Sequence, residues 1–190
     1  MTTTKIIDNT VVSAFINEIL CIDMFEICCK EYPFSTSIEV YYESKRGFSR
    51  VNLNKLYKRI EIVSKKEDFK YEEMIAYLKN RYPYLHEGEL SSFLIALLDY
   101  EMVGKKYFYI TDDGKMKKRV PEILNSQQII KLLKGKVTKF YMTGTIGLIR
   151  RICQKGYLSQ ADIDKIVLDL RNSTFYMSDK LLSELRGCVQ

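Results

Sequence analysis

Short apolar runs of strand type alternate along this chain with stretches of helical periodicity, and that alternation limits the fold more than any other feature. The first run lies in residues 4–8, and a second covers Lys106 to Thr111. Phe34-Ser35-Thr36, the second half of Leu56 to Val63, and Lys139 to Met142 read as further short strands. Between them, Phe69 to Lys79 repeats its apolar residues at helical spacing, and Glu87 to Glu101 carries Leu90, Phe93-Leu94 and Leu97-Leu98 as a strongly buried helix. Such a pattern argues for βαβ units in an α/β fold, with a central, mostly parallel sheet of four or five strands flanked by helices. The 190 residues, 46% of them hydrophobic, suffice for a single domain, 1–190, with its own core.

Cap signals fill in the helices. Thr10 is placed to cap a helix from Val11 to Leu20, and Pro33 breaks the one that follows around Ile22 to Lys30. Ser37 is placed to cap a helix carrying Val40, Tyr41 and Glu43. The middle, Lys45 to Lys66, is basic and weakly patterned. After a basic segment at Lys115 to Arg119, a helical piece runs to Lys134, and three helices close the chain: Ile146 to Gln154, one capped by Ser159 and one capped by Ser178.

Four acidic stations accompany these elements: Asp8, Glu43, Glu89 and the pair Asp112-Asp113. Asp8 and Asp112 each follow a strand-type run. In a parallel sheet the strand C-termini converge on one edge, where sites form. Carboxylates gathered there repel one another unless a hard divalent cation compensates them, so the pattern points to Mg²⁺ or Mn²⁺ and phosphodiester chemistry. Each acid also has an ordinary structural use. Asp8 can cap a helix, Glu43 can lie on a solvated helix face, Glu89 suits a helix first turn, and Asp112-Asp113 before Gly114 suits a turn.

The net charge of +6 adds a modest bias towards polyanions, and a basic protein with an acidic cluster suits nucleic acid together with metal ligands. Lys115, Lys117, Lys118 and Arg119, beside Asp113, are placed to contact phosphates. The lone histidine, His86, reads as a surface residue. With no histidine placed beside a serine or cysteine, acyl-transfer chemistry is disfavoured. Five cysteines without a CxxC pair disfavour a zinc site or a disulfide framework and favour a reducing cytoplasm. No stretch has the length of a signal peptide's apolar core or of a membrane span. Gly144-Thr145-Ile146-Gly147 lacks the Lys-Ser/Thr of a Walker loop and reads as a tight strand–helix turn.

Taken in order, these segments resemble the PIN-domain family over nearly the whole chain. Ile6-Ile7-Asp8-Asn9-Thr10 resembles its opening strand with a metal-binding aspartate and a hydroxyl residue behind it. Ser37 to Glu43 resembles the segment ending in the second acid. Leu85-His86-Glu87-Gly88-Glu89 resembles the entry to the helix that carries the third, and Ile110-Thr111-Asp112-Asp113 the strand that ends in the last. Met142 to Leu158 and Phe175-Tyr176-Met177-Ser178 resemble the tail of a toxin-like branch of the family. Departures are Ser37 where a proline is common, Lys117 where an arginine is usual, and a long 114–140 segment. By one family pattern Asp113 is the principal ligand; by the other, both aspartates belong.

The resemblance implies a metal-dependent endoribonuclease. Asp8, Glu43, Glu89, Asp112 and Asp113 are its catalytic acids, and Asp8, Glu89, Asp112 and Asp113 hold Mg²⁺ or Mn²⁺. Thr10 orients Asp8 or a metal-bound water, and Lys117 and Arg119 bind RNA. It further implies a small antitoxin protein as partner, a homodimer, a cytoplasmic location and no membrane. Two rivals stand beside it: a PIN-like RNA-binding or interaction module with weakened chemistry, and a Rossmann-like small-molecule binder. The second lacks a glycine-rich loop after Asp8.

Overall fold

The computed structural model describes residues 4–19, 22–65, 68–103, 108–175 and 178–189. Five short strands form one sheet: β1 (Lys5–Ile7), β2 (Phe34–Ser37), β3 (Ile60–Val63), β4 (Phe108–Ile110) and β5 (Tyr141–Thr143). Their order is β3-β2-β1-β4-β5, and all four pairings are parallel. The chain therefore starts at the centre, builds outwards through β2 and β3, then returns to the other side of β1 for β4 and β5. That return makes the β1/β4 boundary the topological switch point, the place where an open α/β sheet forms a crevice.

Helices supply the crossovers. The first half contributes α1 (Asn9–Ser13), which runs on as a π-helical turn over Ala14–Glu18, then α2 (Ile22–Glu31), α3 (Ile38–Gly47), α4 (Arg50–Tyr57) and α5 (Phe69–Arg81). The second half contributes α6 (Glu87–Val103), α7 (Gly114–Leu124), α8 (Gln127–Leu133), α9 (Thr145–Gln154), α10 (Gln160–Arg171) and α11 (Asp179–Arg186). Because strand side chains alternate, β1 sends Ile6 to one face and Ile7 to the other, and β4 does the same with Tyr109 and Ile110. Ile7 and Ile110 join Phe15, Phe25, Ile149 and Val167 in one core layer; Ile6 and Tyr109 join Phe93, Leu94 and Leu78 in the other. Helix α6 is apolar almost all round and packs on β1, β2 and β4, as its sequence requires.

Three sequence expectations need correction. The first helix is capped by Asp8, whose carboxylate accepts from the Thr10 and Val11 amides, while Thr10 lies inside the helix. The weakly patterned middle contains α4, capped by Ser49 and anchored by Leu53 and Leu56. The helical piece after Lys115 is two helices, with Ser126 capping the second. The expectations on Leu20, Lys106, Tyr176 and Met177 fall outside the described residues. Among the described residues no helix is long and apolar enough to cross a membrane.

Candidate acidic site at the sheet edge

In a parallel sheet each strand points its C-terminus to the same edge, and each following helix starts there. Asp8 follows β1, and Asp112 and Asp113 follow β4. Helices α1, α7 and α9 begin at this edge, so their amide-rich ends face the carboxylates. The switch point thus places the acids of β1 and β4 side by side.

Asp8 is fully buried. Its Oδ1 accepts from the Thr10 hydroxyl at 2.5 Å and from the Thr10 amide at 3.0 Å, and the Tyr109 hydroxyl stands 3.5 Å from Oδ2. Burial pushes the Asp8 carboxyl up to about 7; hydrogen bonds from Thr10 and Thr111 pull the other way, and the neighbouring Asp112 charge adds to the rise. Asp112 donates its backbone N–H to the Thr10 hydroxyl at 2.8 Å, and its carboxylate accepts from the Thr145 amide at the start of α9, at 3.1 and 3.2 Å. Lys117 Nζ lies 3.6 Å from Asp112 Oδ1.

Glu89 enters from the first turn of α6. Its Oε2 accepts from the His86 amide at 3.1 Å. Burial pushes its carboxyl up to about 7, with the Asp113 and Glu43 charges adding to the rise and the His86 amide and Lys115 opposing it. Asp113 caps α7 through the Met116 amide. Glu43, on α3, reaches across to accept from the Gly88 amide at 3.0 Å, so it braces the start of α6. The acids therefore fall into two sets, Asp8 with Asp112, and Glu89 with Asp113 and Glu43. Asp8, Glu89 and Asp113 also serve the local structural roles that the sequence allowed.

Two glycines keep this arrangement open. A Cβ at Gly144 would collide with Asp112 Oδ1 and stand 3.0 Å from Lys117 Nζ. At Gly88 it would come within 2.5 Å of Glu43 Oε2. Beside the edge opens a cleft of about 770 Å³, lined by Thr10, Asp112, Asp113 and Lys117, and by Arg150 and Phe175 from the C-terminal part. Arg150 pairs with Glu184 at 2.6 Å, and its buried Nε has no hydrogen-bond partner among the described residues.

Arg119 does not join the site. It pairs with Glu122 and lies 5.8 Å from the Tyr84 ring centroid, away from the cleft lining. His86 is exposed. The structure adds residues that sequence reading passed over: Tyr109, Thr145 and Arg150. Thr145 is fully buried, and its hydroxyl has no hydrogen-bond partner among the described residues. Its one sequence signal was its place directly after a strand and a glycine.

The donor chemistry fits a hard cation, since every side chain in the two sets offers carboxylate oxygen. Among the described residues no three Asp, Glu, His or Cys side chains group closely enough to hold an ion by themselves. Mg²⁺ commonly keeps several waters and takes only one or two carboxylates plus substrate phosphate. No protein-family model, no curated protein and no solved structure matches the chain.

Proposed function

We propose that this chain is a divalent-metal-dependent endoribonuclease of the PIN type, hydrolysing RNA phosphodiester bonds at the β1/β4 edge. The observation that carries this reading is the cleft at the strand C-terminal edge that Asp112, Asp113, Thr10 and Lys117 line, with buried Asp8 behind Asp112 and with Glu89 and Glu43 beside Asp113; burial and like charge push Asp8 and Glu89 up to about 7. Such a cluster is costly at neutral pH without a cation, and the cleft beside it carries Lys117 and Arg150 to meet a polyanion.

In this reading Asp8, Asp112, Glu89 and Asp113 are the residues that would hold Mg²⁺ or Mn²⁺, one or two of them directly and the others through water. When bound, the ion lowers the pKa of water and offsets charge on the phosphoryl oxygens. Thr10 fixes the Asp8 carboxylate and the Asp112 backbone together. The Thr145 amide orients the Asp112 carboxylate, and Glu43 holds the α6 entry so that Glu89 faces Asp113. Lys117 exchanges its Asp112 contact for a substrate phosphate. Water oxygen bonds to phosphorus, the P–O bond to the leaving ribose oxygen breaks, and that oxygen takes up a proton. A small antitoxin protein, a homodimer and a cytoplasmic setting belong to the same proposal.

One observation favours a binding module instead: no three ligating side chains are grouped among the described residues, and Lys117 already faces Asp112. Cleavage of single-stranded RNA with Mn²⁺ or Mg²⁺, stopped by EDTA and lost in Asp113→Asn, supports the enzyme. Binding without cleavage under every divalent metal supports the module.

A further inference from the structure

A second cleft, of about 660 Å³, lies between α3, α4 and β3. Leu53 and Ile62 give its lining an apolar part. Lys45, Arg50 and Lys58 supply three cations, Asn54 an amide, and Tyr41 and Tyr57 two aromatic rings, and no carboxylate lines it. The three cations are solvent-exposed, and among the described residues none of them is in an ion pair. Three exposed cations on one cleft give it a positive potential that favours a polyanion.

The aromatic groups are arranged as a row. Tyr42, half exposed, lies 5.8 Å from Tyr41, and Tyr41 meets Tyr57 edge-on at 4.9 Å. The Lys45 ammonium sits 4.3 Å over the Tyr41 ring. Aromatic rings beside cations are the two elements from which grooves for single strands are built, rings for the bases and charge for the phosphates.

The cleft is joined to the acidic edge. The Tyr57 hydroxyl lies 2.9 Å from Ser44 Oγ, which donates to Asn9 Oδ1 at 2.7 Å, and Asn9 follows Asp8 directly. Burial raises the Tyr57 pKa to about 12, with Ser44 opposing and the charges of Tyr41 and Glu43 adding, so Glu43 of the acidic set acts on this cleft as well.

We propose that this cleft is a subsite for single-stranded RNA away from the scissile phosphate. One base lies against the Tyr41 ring, and the backbone on Lys45, Arg50 and Lys58. The proposal rests on the RNA reading of the acidic site and names where the rest of that substrate lies. A positive groove beside stacking rings holds single strands with little dependence on sequence.

The test is fluorescence anisotropy with a labelled eight-nucleotide oligouridylate in EDTA, which measures binding without cleavage. The Lys45→Ala/Arg50→Ala/Lys58→Ala variant should bind at least about tenfold more weakly, with the log–log salt slope flatter by about 2, as three lost contacts to a single strand require. Tyr41→Leu should weaken binding about fivefold or more with the slope unchanged, since a stacking platform is lost and no phosphate contact. In wild type, a 4-thiouridine oligonucleotide should photo-crosslink within residues 41–58, a reading that needs no variant. Unchanged affinity in the triple variant with weakened binding in Lys117→Ala would overturn the subsite and leave the RNA reading standing. Weakened binding in the triple variant of a protein that never cleaves would support the subsite and remove the nuclease. No binding by wild type would remove both.

Discussion

Thr10, in the helix that follows β1, and Asp112, just after the neighbouring strand β4, lie far apart in sequence, and the Asp112 amide donates to the Thr10 hydroxyl at 2.8 Å. The same hydroxyl donates to Asp8 Oδ1 at 2.5 Å. One oxygen thus fixes the spacing of two acids that burial and like charge would otherwise drive apart.

Thr10→Val keeps the shape of this side chain and removes both bonds. It leaves the Asp112 amide without its acceptor, a loss of about 1–3 kcal/mol for a buried group. Urea unfolding should show that loss, and Thr10→Ser should restore most of it. A Thr10→Val protein as stable as wild type would show that the hydroxyl does not hold the edge together.

Gly144→Ala probes the space in front of Asp112. The backbone there, φ −105°, suits alanine, so the cost is a collision with the Asp112 carboxylate rather than backbone strain. Divalent-metal binding and RNA cleavage should fall by about tenfold or more, because an ångström of misplacement is expensive at a reacting centre. Circular dichroism should remain that of the wild type. Gly88→Ala should act in the same manner through Glu43. Full activity in both variants would count against these acids as the working set.

Lys5 supplies the pH test. Its side chain is 3% exposed, and its ammonium lies 4.3 Å over the Tyr32 ring and 4.4 Å over the Phe108 ring. Burial, then Arg151 and Lys155, push its pKa down to about 8 from 10.5. Between those values the unfolded chain binds more protons than the folded one, so this group makes stability rise with pH. Lys5→Met removes the penalty. Its stability advantage over wild type, measured by urea unfolding, should be largest below pH 8 and shrink as pH rises towards 10. A difference independent of pH would show that Lys5 is not held against its charge.

Much of the fold was legible because short apolar runs and Ser or Asp caps are local signals. β2 followed by Ser37 capping α3 is one example, and Ser159 before α10 is another. Helix α4 was not legible: it is short and basic, and its exposed Val51 breaks the stripe that Leu53 and Leu56 make. The acids at the strand ends could be read from position alone, because a parallel sheet sends every strand C-terminus to one edge. Their division into two sets could not be, since it depends on how α3, α6 and α9 pack. Lys117 and Arg119 show the same limit. Residues two apart on a helix do not face each other, so one points to Asp112 and the other to Glu122 and Tyr84.

The most direct test of the central claim is a thermal melt of wild type and Asp8→Asn/Asp112→Asn protein across a Mn²⁺ titration, which no contaminating nuclease can imitate. A ligand that binds only the folded state stabilises it, by about 2.7 kcal/mol at 100 times its dissociation constant. The wild-type melting temperature should climb with Mn²⁺ and return with EDTA, while the double variant stays folded and does not respond. An equal rise in both proteins, or none in wild type, would contradict that claim.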